Sequence, residues 1–223
     1  ENFESKRQKS ENDEYICDLI RNDSIEDFII YINKTSTSLN SIIEFSIYET
    51  NPFLLNKKKI YKYSYGINNE IKRTTLIEYA AFFGSIQIFR YLYKNGVELT
   101  SSLWTYSIHG NNPEIIHFLE ENKIEPENSM YSKCLIESIK CHHNDISNYI
   151  VNNYSNKKDL KDEIITKCLK YYNFIFIDYI NESMFFYLCR YDYPIFVESL
   201  LKNCKSEINF EMSKIVWHSL IEG

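Results

Sequence analysis

Glycine and proline are scarce. The 223 residues hold five Gly and four Pro, too few turn residues for the many tight corners of an all-β sandwich or barrel. Alanine is scarcer, two residues against 32 Ile, 23 Asn and 19 Tyr, so intrinsic helix propensity is low and any helices must be held by packing. A basic surplus is missing too. Lys and Arg number 25 against 31 Asp and Glu, a net charge of −6, which argues against a general nucleic-acid binder. No run approaches the roughly 20 apolar residues of a membrane span. The most apolar stretch, 173–189, is interrupted by Asp178, Asn181 and Glu182, and no signal peptide is visible. What is present is ordinary for a folded protein: 44% hydrophobic and 25% charged residues, which excludes disorder over the whole chain. Six cysteines are spread among apolar residues of a chain too large to need a disulfide scaffold. They read as small buried hydrophobes in a reducing cytoplasm.

Residues 1–14 carry one large apolar side chain, Phe3, among mixed charges, and the expectation there is a flexible tail. From Tyr15 onward the pattern is helical. Leu76, Tyr79, Ala80 and Phe83 recur at i, i+3, i+4 and i+7 and share one helix face. Gly84 stops that helix; Ile88, Tyr91 and Leu92 line a second, which ends at Asn95 and Gly96. This helix, turn, helix unit recurs. Leu103, Tyr106 and Ser107 pair with Ile115, Phe118 and Leu119 across a turn at 110–112. Leu135, Ser138 and Ile139 pair with Ile146, Tyr149 and Ile150 across 142–144. Ile165, Cys168 and Leu169 precede Phe176, Tyr179 and Ile180, and Phe185, Leu188 and Cys189 precede Phe196 and Leu200. Equivalent positions Leu92, Leu119, Ile150, Ile180 and Leu200 are 27, 31, 30 and 20 residues apart, mostly within the range of helical repeats. Upstream, 15–33 reads as a degenerate pair and 41–55 as part of another. Met212, Ile215, Val216 and Ser219 begin a further helix.

The run Thr75-Leu76-Ile77-Glu78-Tyr79-Ala80-Ala81-Phe82-Phe83-Gly84, followed by Leu92, Asn95 and Gly96, resembles an ankyrin repeat. Thr75, Ala80, Ala81, Gly84 and Gly96 stand at that family's Thr, Ala-Ala, Gly and Gly positions; Leu76 and Glu78 stand where it has Pro and His. With 18–28, 49–53, 103–112 and 139–145, the chain is more closely similar to a divergent ankyrin-like domain of unknown function found in trichomonad-type protist proteins. That resemblance implies a curved stack of helix pairs whose inner helices and loop tips bind other proteins. The periodicity leads independently to the same expectation, because a repeat array has no central cavity and offers an extended concave surface.

Chemistry-bearing groups are sparse. Cys134, Cys141, His142 and His143 are the one cluster of metal-ligand types. Cys134 and Cys141, seven apart on a helix, are about 10 Å apart along its axis, too far for one zinc ion. His142 and His143 stand where Asn111 and Asn112 stand one repeat earlier, as turn residues. Lys57, Lys58, Lys59 and Lys62 with Tyr61, Tyr63 and Tyr65 form a basic, aromatic stretch that reads as a solvated loop more readily than as a nucleic-acid contact. His109, His117 and His218 have no Ser, Cys or carboxylate at a recognisable catalytic spacing. Sequons at Asn22, Asn33, Asn153 and Asn181 are no more than this Asn content gives by chance.

The expectation is therefore an all-α, ankyrin-like solenoid of about seven helix pairs spanning 15–223, a monomer or part of a longer repeat protein, without enzymatic activity, metal or cofactor. Its partner would be another protein, with neither nucleic acid nor membrane involved. Helical phase puts Glu78 and Phe82, then Thr105 and His109, then Lys140 on the outer side of successive first helices, the candidate protein-binding face, where an exposed Phe82 would anchor a partner and the alternative is its burial against the loops. Two other expectations stand beside it: a structural cap on a longer array, and a metal or enzyme site using Cys and His.

Overall fold

A computed structural model describes residues 3–44, 46–55, 73–154, 161–177 and 182–203. Among them are twelve α-helices and no strand; an isolated bridge joins Ile42 to Thr75. No described helix is long and apolar enough to cross a membrane. The chain divides into two compact units, Glu1–Met130 and Tyr131–Gly223.

In the first unit the pairs are α2 (Tyr15–Arg21) with α3 (Ile25–Thr35), α4 (Leu76–Phe83) with α5 (Ile86–Lys94), and α6 (Leu103–Gly110) with α7 (Pro113–Glu121). The first helices pack side by side in the order α2, α4, α6. In the second unit α8 (Tyr131–Lys140) pairs with α9 (Asn144–Tyr154). Beyond it come α10 (Lys161–Lys170) and the pair α11 (Phe185–Arg190) and α12 (Pro194–Asn203), with α10 packed on α8 and α11 on α10.

One turn geometry generates the repeat. Each first helix ends at a residue with positive φ: Asp23, Gly84, Asn111, His142, Tyr172 and Asp192. From Gly84 onward these lie 27, 31, 30 and 20 residues apart, the same steps as the apolar pattern. At five of them the next amide donates to the carbonyl five residues back, closing the helix: Ser24 to Leu19, Ser85 to Ala80, His143 to Ser138, Asn173 to Cys168 and Tyr193 to Leu188. Glycine supplies this conformation once; Asn, Asp, His and Tyr accept it elsewhere, held by the packing of the helices it joins.

A second regularity ties several pairs to the first helix before them. In three cases the residue after the positive-φ position sends its side chain to an end carbonyl of the preceding first helix, adding to the bond that carbonyl accepts from the amide three residues on. Ser85 Oγ donates to the Ile20 carbonyl, Asn173 Nδ2 to Ile139 (2.9 Å) and Tyr193 hydroxyl to Leu169 (2.7 Å). Ile20, Ile139 and Leu169 each stand three residues before their own positive-φ residue. Asn112 varies the theme, donating Nδ2 to the Gly84 carbonyl at 2.9 Å. α4 and α6 approach so closely here that a Cβ on Gly84 would lie 2.7 Å from the Gly110 carbonyl oxygen.

Two stretches differ from expectation. Residues 41–55, expected as part of a helix pair, contain no helix among the described residues. Ile43 N–H donates to Thr74 O (2.7 Å) and Leu76 N–H to Ser41 O (3.2 Å). Side-chain oxygens then capture local amides, Tyr48 by Ser46, Asn51 by Glu49 and Phe53 by Asn51, and Pro52 has no amide to give. Such local bonds outcompete a helix of low propensity. The expected tail at 1–14 contains α1 (Phe3–Lys9). It is fixed by an edge-on contact of Phe3 with Tyr48, by Thr50 donating to the Ser10 carbonyl, and by the buried Asn12, whose Nδ2 donates to Glu44 O at 2.9 Å. Phe176, expected to open a second helix, lies in a turn. Tyr179, Ile180, the Lys57 to Tyr65 stretch, Asn181, Cys204, His218 and the Met212 to Ser219 pattern fall outside the described residues.

Candidate functional site

The sequence LIEYAAFF of α4 carries one polar residue, Glu78, and the helix is buried almost all round, from Leu76 through Phe82. A helix apolar on every side belongs inside the fold, which is why its phase misled. Glu78 and Phe82, expected on an outer face, retain 3% and 8% exposure.

Glu78 has structural work. Thr75 Oγ1 accepts the Glu78 amide (3.3 Å) and Glu78 Oε2 accepts the Thr75 amide (3.0 Å), a reciprocal cap on α4. Its other oxygen accepts from Ser102 Oγ at 2.6 Å, so one carboxylate joins the starts of α4 and α6.

One turn further along both helices the side chains are aromatic. Phe82 on α4 and His109 on α6 stack at 4.9 Å, and Phe53 of the irregular segment meets His109 at 4.2 Å, Phe82 at 5.7 Å and Tyr106 at 4.9 Å. Burial pushes the Tyr106 phenol up to about 12, and its hydroxyl lies 3.3 Å from Thr74 Oγ1. Three rings from two adjacent helices therefore form a cradle, and a fourth sits in it. His109, Thr105 and Phe53 are half-buried. Thr105 stands one turn before His109, its hydroxyl bonded to the Ser102 carbonyl at 2.9 Å.

The structure thus brings Phe82 and His109 together and places Glu78 and Thr105 one turn away at the helix starts. Lys140 belongs to the other unit. It is exposed and pairs with Glu137 at 2.7 Å; burial is the largest single influence and works to lower its pKa, but the hydrogen bond and charge of Glu137, together with Cys141 and Tyr171, outweigh it and the net shift is upward. Phe53 and Tyr106 were missed as site residues. Tyr106 was assigned to the inner stripe, and nothing in the order Asn51-Pro52-Phe53 indicates that the ring crosses to α4 and α6.

Other polar groups and cysteines are held within the two units. Arg21, between α2 and α4, donates to the Asn12 carbonyl (2.8 Å) and the Tyr79 hydroxyl (3.0 Å) and pairs with Glu11 at 3.1 Å. Burial drives the Tyr79 phenol upward and the Cys17 thiol to about 12. His142 takes the positive-φ position and the His143 carbonyl accepts the Ser147 amide, as expected for turn residues. Cys17, Cys134 and Cys168 are buried, while Cys141 and Cys189 are half-buried.

A family model described as a domain of unknown function, DUF3447, matches residues 94–188. That stretch runs from the end of α5 into α11 and contains Thr105, His109 and Lys140 but not Glu78 or Phe82. No curated protein and no solved structure matches the chain.

Proposed function

We propose that the chain is a non-catalytic protein-interaction module of divergent ankyrin type, and that it docks its partner on the face where α4 and α6 lie side by side. The observation that carries this reading is the aromatic cradle of Phe82, Tyr106 and His109. It is built by two adjacent first helices at equivalent positions and already accepts an aromatic ring from an irregular segment. Aromatic pairs in such geometry add about 0.5–1.5 kcal/mol beyond the area they bury, and rings set in a desolvated pocket are the usual anchors of interfaces. The capped start of α4, the helix, turn, helix spacing and Ala80, Ala81 and Gly84 at its close contact support the ankyrin type. Free cysteines fit a reducing cytoplasm.

The test is capture from lysate of the source organism by the 223-residue chain and by a Thr105→Arg, His109→Glu variant that folds equally well. A protein retained by the first and lost by the second supports the docking face. Equal retention by both moves the contact elsewhere; no retained protein, with a stability loss in a longer array when the module is deleted, favours a cap.

A further inference from the structure

The geometry points to Phe53 as a resident occupant of the α4/α6 cradle, a plug that a partner's aromatic side chain displaces when it docks. This rests on the reading of α4 and α6 as the docking face and adds to it what the partner presents and what it must remove.

Phe53 differs from the core rings around it. Phe82 and Tyr106 project from helices whose backbones are hydrogen-bonded along their length, and both are buried. Phe53 is half-buried and comes from a run of turns. Among the described residues, the hydrogen bonds of 51–55 close within 49–55: Asn51 N–H to Glu49 Oε1 (2.8 Å), Phe53 N–H to Asn51 Oδ1 (2.9 Å) and Leu55 N–H to Asn51 O (3.0 Å). The segment meets α4 and α6 through its ring, which lies on Phe82, Tyr106 and His109 at once. A short self-bonded turn that inserts one aromatic side chain between two helices has the form of a peptide ligand. Among the described residues none of those bonds reaches α4 or α6, so the turn can lift and open without disturbing either helix, exposing a cradle shaped for a planar ring. The partner is accordingly a protein presenting Phe or Tyr on a turn or extended segment.

Because the plug is covalently attached, it acts at an effective concentration in the millimolar range, and a ligand added in trans competes against it. The experiment uses the full chain and a fluorescent peptide of residues 46–55. Saturable binding of the peptide to the Phe53→Ala chain, about tenfold or more weaker binding to the unaltered chain, and no binding of a peptide carrying Phe53→Ala would establish the plug. Hydrogen exchange on the unaltered chain reads the same property without a substitution. The amides of 53–55 should exchange through local opening, at least about tenfold faster than those of α4 and α6.

Three results overturn the proposal: no peptide binding to the Phe53→Ala chain, loss of cooperative unfolding in that variant, or exchange of 53–55 only at the rate of the two helices. Each would make Phe53 an ordinary core residue. If one of them occurs while capture remains sensitive to Thr105→Arg and His109→Glu, the docking face stands and only its resident occupant is lost.

Discussion

The contact between α4 and α6 gives a sharp prediction at Gly110. This residue ends α6 in a helical conformation without positive φ, and replacing glycine by alanine at such a place usually stabilises by about 0.4–1 kcal/mol through the unfolded chain. Here the added Cβ would collide with the Ala81 carbonyl oxygen and lie 2.7 Å from Gly84 N and 3.0 Å from Gly84 Cα. All three are backbone atoms, so relief requires the helices to separate. Overpacking of this kind costs about 1–3 kcal/mol, and backbone on both sides puts the cost at the upper end. Subtracting the entropic gain leaves Gly110→Ala destabilised by about 2 kcal/mol. Urea denaturation should show a lower midpoint with an unchanged slope. Gly96→Ala is the control, because a Cβ there meets nothing within 4 Å but the backbone has φ +88°. It should cost about 1 kcal/mol through conformation alone, and Gly96→Asn less. An unchanged or raised midpoint for Gly110→Ala would refute the close-approach argument.

Asn173→Ala removes the buried amide that serves the Ile139 carbonyl and Asn144 Oδ1, and should cost about 2–3 kcal/mol. Tyr193→Phe, losing the single bond to Leu169, should cost about 1 kcal/mol; equal effects would contradict the role given to Asn173. Thr75→Ala and Glu78→Ala each remove half of the reciprocal cap and should cost about 1–2 kcal/mol, with a coupling of at least about 0.5 kcal/mol in the double-mutant cycle. Additive effects would mean that the two halves act separately. Among the five described cysteines, iodoacetamide at pH 8 should modify Cys189 first, because it is only half-buried while burial raises Cys141 and Cys168 to about 11 and Cys17 and Cys134 to about 12. Mass spectrometry finding Cys17 alkylated as fast as Cys189 would contradict that burial.

The repeat was legible in the sequence because two independent signals share one period. Apolar side chains at helical spacing and turn residues such as Gly84, Asn111 and His142 recur at the same steps, and each helix pair needs both. What escaped was non-local. Glu78 and Phe82 were assigned outward on phase, but phase carries information only where a helix has a polar side, and α4 has none. The segment 41–55 has enough apolar residues to resemble a helix, yet Ser46, Glu49 and Asn51 spend their oxygens on nearby amides. Phe53 reaches helices 29 to 56 residues further along the chain, counting from Phe82 and His109, and no local pattern encodes that meeting. The ladder from Ser85, Asn173 and Tyr193 was hidden for another reason: three different side chains perform one task, so no residue type repeats.

Site-specific photo-crosslinking tests the docking face most directly. A benzophenone amino acid placed at Thr105, beside the cradle, is compared with the same group at Gln87, exposed on α5, each in the full chain irradiated in lysate of the source organism. A discrete adduct from position 105 that position 87 does not give, and that a Phe or Tyr peptide suppresses, is the predicted result. Adducts of equal yield from both positions, or from position 87 alone, would contradict docking between α4 and α6.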